Sequence, residues 1–232
     1  MNDWLAIAGL LTLFVFLAIL GRMIQGQFFK ISLLLTRRTG FGIRLYSLVF
    51  LPGIILHELS HFLTAAFLGV RTGKITIFPE EIVEGRVRLG SVQVEKTDFL
   101  RSSIIGGAPL ITGGLALFFL ARALDGFSFE LMDFLFLYLM LAVGNTLFTS
   151  REDARHWPVL AVFLALIFLV LGIVGFLEES LIFVNDLFSG LSVGLTRALI
   201  LAVSVDLLLL LILRIVVGTT RRAVGRSSIF KE

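Results

Sequence analysis

His57, Glu58 and His61 stand together in the run Leu56-His-Glu-Leu-Ser-His61. On a helix, a spacing of four residues puts both imidazoles on one face, one turn apart. Two ring nitrogens placed that way can grip one zinc ion. Glu58 lies beside them, where it can take a proton from a water attacking a peptide carbonyl. Bound zinc would lower the pKa of that water from 15.7 to about 7. The chemistry implied is metal-assisted hydrolysis of a peptide bond.

The setting sharpens this reading. The motif lies between two apolar runs, Pro52–Leu56 and Phe62–Leu68. A charged residue deep in a bilayer costs about 2.5–3.5 kcal/mol on the insertion scale. Three ionisable residues in one span therefore call for a compensating partner, and a metal supplies one. Ser60 is read as a packing residue, not a nucleophile. A catalytic zinc has three protein ligands and an open position for water. The candidates for the third ligand are Asp153, Asp206, His156, Glu178 and Glu179, and position alone does not choose among them. Asp206 is read first as a hydrogen-bonding contact between helices, since polar groups in membranes face partners.

The elements that must position these residues follow from composition. The chain has 232 residues, 57% hydrophobic and 16% charged, with a mean hydropathy of +1.00. A soluble domain carries about a quarter charged residues, so the excess apolar length points to an integral, multi-pass membrane protein. At about 20 residues per span, the chain holds about six helices: Trp4–Ile24, Leu45–Leu68, Ser102–Ala123, Leu131–Leu147, Trp157–Phe176 and Leu191–Val217. Trp4–Ile24 lacks a basic leader region and is read as a retained first helix. Between the first two spans, Phe28–Leu35 is expected to lie in the interface as an amphipathic piece. The acidic stretch Leu177–Gly190 is expected to be a connector.

The polar segment from about 71 to 101 differs from the rest. Lys74–Phe78 reads as a strand, and Val87, Leu89, Val92 and Val94 alternate with polar residues around Gly90-Ser91. That pattern predicts a small β-hairpin at the membrane surface, turning at Gly90. The third span is rich in small residues, including Gly106, Gly107, Ala108, Gly113 and Gly114, which permit close helix approach, and Pro109 is placed to bend it. The expected fold is an all-α polytopic membrane protein with this hairpin, forming one domain over 1–232 with its core at about 45–156.

Net charge is +3 with a pI of about 9.7. In such a chain, the basic residues are read as flanks at the lipid surface and not as a nucleic-acid interface. Arg221, Arg222 and Arg226 fit that role, and the distribution of Lys and Arg favours both termini in the cytoplasm. With no cysteine, disulfides, thiolate ligands and a cysteine nucleophile are excluded. Composition does not give the oligomeric state.

Three features together resemble the site-2 protease family of intramembrane zinc metalloproteases. The first is His57-Glu-Leu-Ser-His61 on a membrane helix. The second is Gly106-Gly-Ala-Pro-Leu110 on the intervening helix. The third is Asn145-Thr-Leu-Phe-Thr-Ser-Arg-Glu-Asp153, with Asp eight residues after Asn. The resemblance covers about Leu51 to Asp153. It implies Zn2+ as cofactor, Asp153 as third ligand, and Asn145 contacting the substrate backbone or orienting the site. It also implies single-span membrane-protein substrates, such as anti-sigma factors or their remnants, in a prokaryotic plasma membrane. Phe148 stands where the family's Pro is common, and Glu152 and Ala154 flank the Asp where the family has Leu and Gly. The chain is too short for an inserted PDZ domain. The hairpin edge is expected to clamp an extended substrate. Two other classes could use the same residues: a catalytically silent scaffold derived from such a protease, and a metal transporter with the histidines as a transit site.

Overall fold

A computed structural model describes residues 3–37, 39–83, 86–88, 90–148, 166 and 169–229. The protein is mostly helical. Helix α1 spans Asp3–Thr36, α2 Thr39–Val49 and α3 Leu51–Phe67. Four short strands follow: β1 Thr72–Thr76, β2 Glu80–Val83, β3 Arg86–Arg88 and β4 Ser91–Val94. Then come α4 Phe99–Ala123, a 3-10 turn Leu124–Gly126, α5 Leu131–Thr146 and α6 Leu177–Ile229.

Among the described residues, three helical segments are long and apolar enough to cross a membrane: Ala8–Thr36, Phe99–Gly126 and Val193–Val224. The pair α2–α3 makes a fourth if its two halves count as one span. Large apolar side chains such as Leu11, Val15, Ile111, Phe119, Leu208 and Leu211 are exposed along these helices, as a lipid-facing surface would be. The expected span Trp157–Phe176 lies mostly outside the described residues.

Helix α1 is longer than its sequence suggests. Leu17, Leu20, Ile24, Phe28 and Ile31 recur at helical spacing and are all buried, so one apolar face runs through the stretch expected at the interface. That stretch is the last part of α1. Its end is tied to α2 where the Gly42 N–H donates to Ser32 Oγ at 2.8 Å. The acidic segment expected as a connector is also helical, forming the first turns of α6.

The span expected over Leu45–Leu68 is broken at Phe50 and bent by 79°. Pro52, in the first turn of α3, has no N–H to give to the helix before it and biases Leu51 away from helical geometry. Tyr138 of α5 donates its hydroxyl to Val49 O at 3.0 Å, satisfying a carbonyl at the break. At the start of α3, Gly53 lets α5 come close: a Cβ there would overlap the Ala142 carbonyl and the Thr146 hydroxyl.

The strands form one long hairpin in two segments. β1 pairs antiparallel with β4, and β2 with β3. Val83 pairs with Arg86, so the chain reverses between β2 and β3. Gly90 is not the turn. It lies where the returning strand passes from β3 to β4.

Candidate metal centre

Seven residues of α3 are buried: Gly53, Ile54, His57, Glu58, Ser60, His61 and Ala65. Most recur at intervals of three or four and form the face turned toward α4, α5 and the hairpin. His57, Glu58 and His61 are 5%, 7% and 8% exposed. The helix does what the spacing predicts: the two imidazoles meet at ring centroids 4.9 Å apart, tilted 78° to one another. Their Nε2 atoms are 3.3 Å apart.

That separation has a specific meaning. Two nitrogens bound to one tetrahedral zinc at about 2.0–2.1 Å would be about 3.3–3.4 Å apart. Without a cation, the same distance is an N–H···N hydrogen bond if His57 carries its proton on Nε2. His61 is constrained further. Its Nδ1 lies 2.8 Å from the Ile105 carbonyl oxygen of α4. A carbonyl only accepts, so Nδ1 carries the proton and the lone pair of neutral His61 sits on Nε2, facing His57. A ligand histidine whose other nitrogen donates to a backbone carbonyl is the usual arrangement at protein metal sites. The residues present therefore fit a zinc ion at the Nε2 pair.

Glu58 is buried on the same face, and the hairpin reaches it. A Cβ on Gly90 would lie 2.6 Å from Glu58 Oε1 and 2.8 Å from its Cγ. The β3–β4 passage runs directly over the carboxylate, and a residue with a side chain there would have to displace it. The glycine read as a turn from sequence is a point of close approach. Only the neighbouring helix explains it, so sequence carries no signal for that role.

Asn145 points elsewhere. It is buried on α5, with Nδ2 donating to Asp206 Oδ1 of α6 at 2.7 Å and to Leu141 O at 3.0 Å. Tyr46 of α2 donates to the Asn145 carbonyl at 3.3 Å. Asp206 is fully buried, and its expected role as an interhelical hydrogen-bond partner is what the structure shows. Asn145 is thus joined to Asp206, not to the histidine pair.

Among the described residues, no group of three or more His, Asp or Glu converges. Asp153 and His156, two of the candidates for the third ligand, lie outside the described residues. Sequence reasoning missed Ile105, because a backbone oxygen has no side-chain signature. Comparison with known proteins finds no matching family model, no matching curated protein and no matching solved structure.

Proposed function

We propose that this chain is an intramembrane zinc metalloprotease with six spans, cleaving peptide bonds in membrane-embedded proteins. The observation that carries the reading is the convergence of His57 and His61 Nε2 at 3.3 Å, with the His61 tautomer set by Ile105. His57 and His61 would hold the ion, with Asp153 as third ligand by the resemblance to the site-2 protease family. Bound zinc would polarise the scissile carbonyl and make water nucleophilic near neutral pH. Glu58 would accept the proton of that water and return it to the departing amine. Burial of all three side chains keeps bulk water from competing with them. The β3–β4 strand beside Glu58 supports a clamp in which an extended substrate pairs with the hairpin edge. Asn145 is assigned to substrate by resemblance alone, and its amide is already engaged with Asp206.

The test is the zinc content of the detergent-purified protein, by elemental analysis, together with cleavage of a single-span membrane substrate. One zinc per chain is expected in the wild type, lost in His57→Ala and strongly reduced in Asp153→Ala, but kept in His156→Ala. Loss in His156→Ala instead would move the third ligand there. No zinc in the wild type, even after incubation with the ion, would remove the mechanism and leave a silent scaffold. Zinc transport into liposomes without cleavage would make the protein a transporter.

A further inference from the structure

Helix α4 carries Pro109 in its interior, buried together with Gly106, Gly107 and Ala108. In an α-helix, the N–H of residue 109 would donate to the carbonyl of residue 105. Proline has no N–H, so that helical bond to Ile105 cannot form. A carbonyl left without its helical donor inside an apolar bundle is costly unless another group donates to it. The oxygen released in this way is the one that lies 2.8 Å from His61 Nδ1.

We propose that Pro109 is a positioning residue for the metal centre. By omitting one helical hydrogen bond, it reserves the Ile105 carbonyl for His61 Nδ1–H. That bond holds the proton of His61 on Nδ1 and fixes the ring plane. The lone pair then stays on Nε2, 3.3 Å from Nε2 of His57. Ile105 is 6% exposed and His61 8%, so bulk water is a poor competitor for either group. A proline inside a membrane helix leaves its orphan carbonyl to a Ser or Thr hydroxyl, a water or a neighbouring helix. Here the orphan carbonyl meets one of the two imidazoles of the motif. The consequence for metal binding rests on the function proposed above, whereas the tautomer does not.

The experiment uses full-length protein with 15N-labelled histidine, stripped of metal and held at a pH where the imidazoles are neutral. The chain has three histidines, so single substitutions assign their signals. In the wild type, His61 is expected as one tautomer, protonated on Nδ1. Pro109→Ala restores the N–H and gives Ile105 its helical donor. His61 should then populate both tautomers, and zinc affinity should fall about 10–100-fold, the usual loss when the partner of a ligand histidine is removed. Thermal stability should not fall, because alanine suits a helix interior better than proline. A second variant with lactic acid at position 109, an ester in place of the amide, again lacks the N–H and should restore both tautomer and affinity. Protonation of wild-type His61 on Nε2, or wild-type zinc affinity in Pro109→Ala, would overturn the proposal. So would an ester variant as weak as Pro109→Ala, because the ring and not the missing donor would then matter. If the wild type binds no zinc, the function proposed above fails, and the tautomer comparison still decides the role of Pro109.

Discussion

Two of the regions in which this bundle buries polar side chains are built differently. Between α5 and α6, donor meets acceptor: Asn145 Nδ2 gives to Asp206 Oδ1 at 2.7 Å, and Tyr46 gives to the Asn145 carbonyl. Between α3 and α4, the N–H of His61 goes to a backbone carbonyl, and the two Nε2 atoms are turned toward each other. The first arrangement ties helices together through these bonds, and Asn145 Oδ1 and Asp206 Oδ2 stay buried without a hydrogen-bond partner among the described residues. In the second, two ring nitrogens face one point, which is stable only with a proton or a cation between them. Burial of polar groups alone therefore does not mark a site in a membrane bundle. What marks it is the direction in which the lone pairs point.

The largest effect that tests this contrast belongs to Glu58. Glu58→Gln keeps the shape of the side chain and removes its basicity. Cleavage of a membrane substrate is expected to fall by about 10²–10⁴-fold, while zinc content stays at the wild-type level. A variant that still cleaves at the wild-type rate would take the general-base role away from Glu58. A variant that loses its zinc would make the carboxylate a ligand.

A smaller effect is expected in the other region. Asn145→Leu and Asp206→Leu each leave a buried polar partner behind, at a cost of roughly 1–3 kcal/mol in stability. The double substitution should cost less than the sum, with a coupling of about 0.6 kcal/mol, the average for hydrogen bonds between membrane helices, and at most about 1.7 kcal/mol. Denaturant unfolding in bicelles measures the cycle, and zinc content should not change in any of the three variants. If Asp206→Leu released zinc, the two regions would be one site and the contrast would collapse.

How far the sequence reaches can be judged from particular residues. The pairing of His57 with His61 is legible because helix geometry alone brings residues four apart onto one face. The helices expected at Ser102–Ala123 and Leu131–Leu147 match α4 and α5 to within a few residues at each end, since their apolar runs are bounded by polar residues, but α5, at 16 residues, is shorter than a span needs. Helix α1 is misread because Lys30 among apolar neighbours looks like an interface. The helical spacing of Ile24, Phe28 and Ile31 is a signal of its continuation that the charges of the stretch outweigh. The break at Phe50 had a local signal in Pro52, and the start of α6 opens with the strong helix formers Leu177, Glu178 and Glu179 before weaker ones. Gly90 and Ile105 have roles set by a second element passing close by, and that information is three-dimensional. For Ile105, a trace survives in the chain: a proline four residues later leaves a carbonyl to be accounted for.

The smallest expected effect lies at the water-exposed end of the helix that supplies Ile105. Asp98 caps α4, its Oδ1 accepting the Arg101 N–H at 3.0 Å, and Arg101 Nε lies 3.2 Å from Oδ2. The backbone N–H of Arg101, more than the guanidinium charge, holds this carboxyl below its usual range. The folded pKa is thus lower than the unfolded value of about 3.9. The stabilisation is then present in full above that value and is lost as pH falls through the folded pKa. Asp98→Ala should lower the melting temperature slightly at pH 7, and the gap between wild type and variant should close only below about pH 4. Because Asp98 is exposed, solvent screening keeps the effect small. A gap that widened on acidification would contradict the sign. Zinc content should be the same with and without the cap, because the His61–Ile105 bond is made deep in the bundle. A loss of zinc in Asp98→Ala would show that the register of α4 at the metal centre is set from the surface, and not by Pro109 and the packing around it.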